Sequence, residues 1–328
     1  MKCCLLTRFF YEDPYIDFYI EHYLKLGFCK IIILKMDKVK YSINKKYQPY
    51  VEFHYTDNYG DCIFGGIGHL LKDSNCDWGL VADSDEYLVI NNKYKSIQEF
   101  INEKITKFPE ITGFYFRWGI INRFDNLFDN DFEKIQQKYK LFDNEHIKTM
   151  VKISNFKNIR SSHICHVEPY NFYIDNKVTK HESPWQKVVN NSYDEAFLLH
   201  IHTRSINDII IKSLNTVFEG KQIKNKKNFI HFINHFDENI EGSQLISQFK
   251  NLIGGKATIP YSLCKASKIK KPLNLLSFCY ENTVTNMEQE DKLIRKILKD
   301  NNIIVEKYFL FIEKMNKYMI ENKQFLDS

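Results

Sequence analysis

The segment Trp78 to Ile90, WGLVADSDEYLVI, places three carboxylates within four residues, between two apolar runs. Residues Trp78 to Ala82 have the length and composition of a buried strand, so the chain has to leave the apolar interior where Asp83 begins. Open α/β sheets bind ligands in the crevice beyond the carboxyl ends of their strands. The sequence therefore predicts a ligand-binding sheet edge at Asp83 and Asp85.

Strand and helix patterns alternate over residues 1 to about 120, which predicts a nucleotide-binding α/β sheet with parallel pairs and right-handed crossovers. After about residue 202 amphipathic helical patterns dominate, including EDKLIRKILKD and EKYFLFIEKMNKYMI. The predicted strands are Cys3–Leu6, Lys30–Leu34, Val51–Tyr55, Trp78–Ala82 and Ile111–Trp118, the last of which could run antiparallel. Short strands are also predicted at TMVKI and FLLHIH. The predicted helices run from Asp13 to Gly27, from Tyr59 to Leu71, and onward from the capping boxes at Ser96 and Ser205.

Composition excludes several classes of protein. A net charge of +5 without a long basic stripe disfavours a nucleic-acid-binding role and suits an anionic small ligand. The eight cysteines form no CxxC pair, which is typical of reduced thiols in an intracellular, cytoplasmic protein. No segment has the pattern of a signal peptide or the length of a membrane span.

The spacing of Asp83 and Asp85 indicates a metal site. On extended backbone, residues two apart point to the same side, so the two carboxylates would repel each other unless a divalent cation organises them. Mg²⁺ or Mn²⁺ suits such oxygen ligands and also binds diphosphates. Glu86 would point elsewhere, towards an acceptor or into the scaffold.

Several blocks in chain order resemble GT-A-fold glycosyltransferases of the family-2-like and family-92-like group. The segment WGLVADSDEYLVI resembles that group's D-x-D-E-[FY]-L motif. The other matching blocks are FYIEHYLKLGFCKIIIL, GFYFRWGIIN, IKTMVKISNFKNIRSSHICHV and LLHIHTRSINDIIIK, so that the resemblance covers about residues 1 to 212. It implies a GT-A fold, a Rossmann-like mixed sheet flanked by helices, in residues 1–212, followed by a mostly helical region in residues 213–328.

The resemblance also implies a function, namely metal-dependent transfer of a sugar from a nucleotide-diphosphate donor, expected to be a UDP-sugar, to a hydroxyl of a glycan or glycoprotein. The implied metal is Mn²⁺ or Mg²⁺, bound by Asp83, Asp85 and His200, with His202 as the alternative imidazole. Asp83 could instead reach metal-bound water or the donor ribose.

Further residues acquire predicted roles from the same resemblance. Thr7, Arg8 and Glu12 follow the first strand and are expected near the nucleotide, and Lys152 and Arg204 near the diphosphate. The catalytic base of an inverting reaction would be Asp125, Glu182 or Glu86. The acceptor site would include Trp118 and Trp185.

Two other functions remain open at this stage. A nucleotidyltransferase could also use an aspartate pair, although it would usually carry a glycine-rich phosphate loop after its first strand. A catalytically silent carbohydrate-binding protein could keep the fold. The C-terminal helices could recognise an acceptor, cap the core or pair two subunits as a homodimer.

Overall fold

The computed structural model describes residues 1–9, 15–35, 43–56, 67–122, 142–161, 163–180, 193–203, 226–252 and 283–321. The strands are β1 Cys3–Phe9, β2 Lys30–Lys35, β3 Val51–Tyr55, β4 Trp78–Asp83, β5 Glu86–Ile90, β6 Gly113–Asn122, β7 Phe142–Lys152, β8 Phe156–Ile159, β9 Cys165–Val167, β10 Phe172–Ile174, β11 Lys177–Thr179 and β12 Ala196–Thr203. The helices are α1 Ile16–Lys25, α2 Gly68–Lys72, α3 Ile97–Lys107, α4 Lys226–Asn234, α5 Gly242–Leu252, α6 Thr283–Asp300 and α7 Val305–Glu321.

Ten of the described strands form one mixed sheet. Its main path runs β11-β10-β6-β7-β4-β1-β2-β3, and β12 joins it by pairing with both β6 and β5. Strands β4, β1, β2 and β3 are parallel neighbours, whereas β7 runs antiparallel to both β4 and β6. The predicted α/β class with a mixed sheet and flanking helices is confirmed. The strand that contains Trp118, β6, is antiparallel to β7 but runs in the same direction as β4, so the antiparallel alternative is wrong relative to the parallel strands of the sheet.

Strand β1 shows why the predicted strands are continuous apolar runs. Cys3, Leu5 and Phe9 pack into a core formed with α1 and α3. Cys4 and Leu6 point to the opposite face and pack into a second core with α2, β8 and β9. A strand that is covered on both faces has to be apolar at successive positions, so alternation of polar and apolar residues is lost.

The ends of two helices agree with their sequence signals. Gly27 follows the last residues of α1 with φ at 97°, a left-handed conformation that glycine adopts without steric cost. At the start of α3 the Ser96 hydroxyl accepts a hydrogen bond from the Glu99 amide at 3.3 Å. The Glu99 carboxylate accepts from the amide of Lys95, the residue before the cap, at 2.7 Å, so the return bond of the capping box reaches one residue further back.

Three predicted helix starts do not fall within the described residues. Asp13 and the capping box at Ser205 lie outside them, and α1 as described begins at Ile16. The predicted helix from Tyr59 to Leu71 is described only from Gly68, where α2 begins.

The described C-terminal helices α4 to α7 have a core of their own. Phe229, Ile233, Leu245, Tyr308 and Phe311 are among its buried residues, and they come from three of the four helices. This arrangement confirms the predicted helical character of the C-terminal region, while the predicted boundary at residues 212 and 213 lies outside the described residues. None of the helices within the described ranges has the length and apolarity needed to cross a membrane.

Replacing Ser96 with alanine should lower the free energy of unfolding by about 1 kcal/mol, because the Glu99 amide loses its hydrogen-bond acceptor. Urea denaturation followed by circular dichroism measures the change. Ser154→Ala is the matched control, since the exposed Ser154 hydroxyl contacts only the neighbouring Asn155 side chain among the hydrogen bonds described. Equal stability of the two variants would contradict the capping role.

Candidate active site

Backbone pairing brings the functional side chains to the carboxyl edge of the sheet. Arg8 and Asp83 are register partners at the ends of the parallel strands β1 and β4. A turn at Ser84 and Asp85 then redirects the chain into β5, which pairs with β12 rather than with β4's neighbours. His200 in β12 is the register partner of Glu86. The acidic segment and the late histidine are therefore neighbours through sheet pairing.

Asp83 is held between two cations. The Arg8 Nε atom donates to Asp83 Oδ1 at 2.9 Å, and Arg8 Nη2 contacts the same oxygen. The Lys148 Nζ atom donates to Asp83 Oδ2 at 2.6 Å from a completely buried position. Burial by itself would raise the pKa of Asp83, but Arg8 and Lys148 outweigh it and hold this pKa well below its usual range. Asp83 is therefore an anion that organises two positive charges.

Glu86 stabilises the cation-bound Asp83 from the buried side. Its side chain is fully buried, and Oε2 accepts a hydrogen bond from the Asp83 amide at 2.8 Å. Glu86 Oε1 lies 3.4 Å from Lys148 Nζ. Burial raises the pKa of Glu86 to about 7, although Lys148 acts in the opposite direction. Of the three predicted catalytic bases only Glu86 is described, and its contacts are those of a buried support rather than of a base open to an acceptor.

Asp85 forms a different pair, with His200. The His200 Nε2 atom lies 3.4 Å from Asp85 Oδ1, and the Ile201 amide donates to the Asp85 carbonyl at 2.9 Å. Burial would lower the pKa of His200, but the Asp85 carboxylate outweighs it and raises this pKa above its usual value. A carboxylate and an imidazole thus converge on one point at the sheet edge.

The predicted three-residue metal set is not assembled as the sequence suggested. The turn after Asp83 separates the two aspartates, so that Asp83 faces Arg8 and Lys148 while Asp85 faces His200. Within the ranges that the structure describes, no three His, Cys, Asp or Glu side chains are grouped to hold a metal ion. The remaining pair still fits a divalent cation, because Mg²⁺ is commonly bound by one or two protein ligands together with water and substrate phosphates.

The predicted position of Lys152 near the carboxyl edge is wrong, and Lys148 of the same strand lies there instead. Lys152 is the register partner of Trp78, at the amino end of β4, and its side chain is exposed. Five residues of strand separate that position from Asp83, a distance of about 16 Å. Because β7 runs antiparallel to β4, the earlier lysine of the strand is the one that reaches the carboxyl edge. Only the direction of β7 distinguishes the two lysines, and it cannot be determined from their spacing.

Trp118 lies beside the Asp85–His200 pair in a cluster of imidazole rings. Its ring centroid is 4.4 Å from that of His200, 4.9 Å from His146 in a stacked arrangement, and 5.0 Å from His163. Burial and the nearby Lys148 charge lower the pKa of His163 to about 3, so this ring is neutral. Sequence reasoning assigned no role at this site to His146 or His163, because β7 and the segment before β9 approach Trp118 only in the folded sheet.

Thr7 is the remaining predicted site residue that the structure describes. Thr7 is buried on β1 as the register partner of Ala82, one residue before Arg8. The structure leaves Glu12, Asp125, Glu182, Trp185, Arg204 and the side chain of His202 outside the described residues.

Comparisons with known proteins add little to this picture. No family model matches the chain, and no curated protein matches it. Among solved structures, the chain is similar to a CMP:2-keto-3-deoxy-manno-octonic acid synthetase in complex with CTP, with 10% identity over 47% of this chain and 75% of that chain. The TM-score of this match is 0.24. The fold is defined by the strand order and pairing of the chain itself.

The stability of the protein should depend on pH through Glu86. Folded Glu86 keeps its proton up to about pH 7, whereas the unfolded chain releases it near 4.5, so stability from this group is present at low pH and is lost as pH rises between those values. The loss amounts to at most about 3 kcal/mol. Glu86→Gln, which cannot titrate, should remove this part of the pH dependence in urea unfolding between pH 4.5 and 7.

Glu110→Gln is the matched control, because Glu110 is exposed and its substitution should leave the pH dependence unchanged. If the curves of wild type and Glu86→Gln run parallel over this range, the raised pKa of Glu86 is wrong.

Proposed function

We propose that the protein is a metal-dependent glycosyltransferase that transfers a sugar from a nucleotide-diphosphate donor to an acceptor hydroxyl. One observation carries the proposal: a cation-bound aspartate and an aspartate–imidazole pair lie side by side at the carboxyl edge of an α/β sheet. The first group supplies positive charge for a diphosphate, and the second supplies ligands for a divalent ion. A sugar nucleotide needs both, since its leaving group is a diphosphate.

Arg8 is the residue that would meet the diphosphate, and Lys148 would act on it through its buried positive charge. The guanidinium of Arg8 is partly exposed, at 21% of its side-chain surface, whereas the ammonium of Lys148 is buried. A buried charge acts through a low local dielectric and is therefore stronger than the same charge in water. Asp83 holds both cations in position before a donor arrives, so little reorganisation is needed when negative charge develops on the leaving group.

Asp85 and His200 are the residues that would hold Mn²⁺ or Mg²⁺. When bound, the ion supplies Lewis-acid stabilisation of the charge that builds on the departing diphosphate. His200 has to be neutral to act as a ligand, whereas Asp85 favours its protonated form. Proton and metal therefore compete at this imidazole, and metal affinity should fall as the pH is lowered.

Trp118 places an aromatic surface next to this pair, which suits an acceptor with a sugar ring. The acceptor class remains a glycan or glycoprotein hydroxyl, and a UDP-sugar remains the expected donor. Asp125 and Glu182 remain the candidates for the base. Glu86 is not assigned this role, because its carboxylate is buried against the Asp83 amide.

The assignment is tested by incubating the protein with Mn²⁺ and a panel of nucleotide sugars and measuring release of nucleoside diphosphate by slow hydrolysis. We expect release of UDP or GDP, reduced at least about 100-fold in Asp85→Asn, because one charge-assisted ligand of the ion is lost. Asp73→Asn is the matched control, since Asp73 is an exposed aspartate after α2 and should leave the rate unchanged.

Two other outcomes would overturn the proposal. Release of pyrophosphate from a nucleoside triphosphate would identify a nucleotidyltransferase. A protein that neither releases a nucleotide nor shows a thermal shift with any nucleotide would be a catalytically silent relative of the fold.

Lys148→Met should weaken binding of UDP about 10- to 100-fold, because a buried positive charge that attracts the diphosphate is removed. Lys152→Met is the matched control on the same strand. Its affinity for UDP should equal that of the wild type, since Lys152 lies beside Trp78, at the end of β4 away from Asp83. Isothermal titration calorimetry measures both. Because Lys148 is buried, Arg8→Met provides a second variant in which the same loss is expected. Unchanged affinity in folded Arg8→Met would contradict the diphosphate contact.

A further inference from the structure

A pair of thiols lies at the amino edge of the sheet, the edge opposite the candidate active site. Cys29 immediately precedes β2, and Cys76 lies just before β4. Their Sγ atoms are 3.9 Å apart, in van der Waals contact. Cys29 is exposed and Cys76 is partly exposed, so that small molecules in solution can reach both sulfurs.

The backbone around each thiol is held in place. The Cys29 amide donates to the Cys3 carbonyl at 2.9 Å, and the Cys76 amide donates to Ser74 Oγ at 3.3 Å. The residue before Cys76, Asn75, has φ at 57° in a tight turn after α2. A disulfide has its sulfurs about 2 Å apart, so the two side chains have to close the gap by roughly a further 2 Å.

The two thiols differ in acidity. The neighbouring Cys4 thiol lowers the pKa of Cys76 to about 6, against the opposing effect of burial, and Cys29, Ser74 and Lys30 lower it further. Burial and the neighbouring Cys76 raise the pKa of Cys29. Near neutral pH the pair therefore consists of one thiolate and one thiol, which is the arrangement of an attacking and a resolving cysteine.

We propose that Cys29 and Cys76 form a thiol modification site, which a small-molecule disulfide such as oxidised glutathione converts reversibly into an intramolecular disulfide. The site is independent of the proposed glycosyltransferase activity, because Trp78 and Asp83 lie at opposite ends of β4. A metal site is disfavoured, since the described part of the chain holds no group of three metal-ligating side chains at this edge or elsewhere.

The reaction proceeds in two exchanges. The Cys76 thiolate attacks one sulfur of the external disulfide, its S–S bond breaks, and one glutathione thiolate leaves. Cys29 then loses its proton to that thiolate and attacks Cys76 Sγ, which expels the second glutathione as a thiolate that takes a proton from water. The protein loses two electrons in forming one S–S bond, and the external disulfide gains them as two thiols.

The test uses the full-length protein, first reduced and then incubated with oxidised glutathione. Remaining thiols are blocked with iodoacetamide, and the digested protein is analysed by mass spectrometry. We expect a peptide pair joined through Cys29 and Cys76, which dithiothreitol separates. Cys29→Ser should instead retain a glutathione adduct on Cys76, since the resolving thiol is absent.

Cys165→Ala is the matched control, because Cys165 is fully buried and burial raises its pKa to about 12, and this variant should form the Cys29–Cys76 link as the wild type does. Separate alkylation of Cys29 and Cys76 after the incubation, or a link from Cys76 to any other cysteine, would overturn the proposal.

A second measurement distinguishes the roles of the two sulfurs. The alkylation rate of Cys76 in the reduced protein should be half-maximal near pH 6. At pH 7 it should be about two- to threefold faster than that of a cysteine with an ordinary pKa near 8.5, because the larger thiolate fraction outweighs the lower intrinsic nucleophilicity. A half-maximal rate near pH 8.5 would overturn the assignment of Cys76 as the attacking thiol.

Discussion

The buried ammonium of Lys148 is the interaction on which the carboxyl edge of the sheet depends. It lies 2.6 Å from Asp83 Oδ2 and 3.4 Å from Glu86 Oε1, with no exposed surface of its own. Two ionised carboxylates this close to each other would repel strongly in a low-dielectric interior, and the cation between them together with the raised pKa of Glu86 relieves that repulsion. Arg8 completes the balance from the solvent side. Several acidic residues can therefore lie close together at this sheet edge in the folded protein.

The path of the chain after Asp83 divides the acidic segment into two functional halves. Asp83 still belongs to β4 and is paired with cations, whereas Asp85 lies in the turn and faces His200. Pairing of β5 with β12 determines the second contact, since it makes His200 the register partner of Glu86. A single strand-to-strand connection thus separates the two cations at Asp83 from the carboxylate–imidazole pair. The proposed sugar nucleotide, with its diphosphate and accompanying metal, would use both halves of this arrangement.

Local signals predicted much of the fold correctly. The strand Val51–Tyr55 has the predicted bounds, and Gly27 and Ser96 end and begin their helices as expected. These features depend on residues close in sequence, through burial on both strand faces, left-handed glycine geometry and side-chain capping. The strand content of TMVKI and FLLHIH was also predicted, but not the neighbours of these strands. The misassigned Lys152 shows the consequence, because its role depended on which way β7 runs beside β4.

The sequence by itself determined that an apolar strand ends in acidic residues at the carboxyl edge of the sheet, and that a histidine-bearing strand follows late in the chain. Both conclusions depend on hydrophobic periodicity and local chemistry, which act between residues near each other in the chain. Only the tertiary structure decided which cation meets which carboxylate, that Lys148 rather than Lys152 is buried between Asp83 and Glu86, and that Cys29 lies against Cys76. These contacts join residues between 47 and 75 positions apart, and strand order, direction and register determine them.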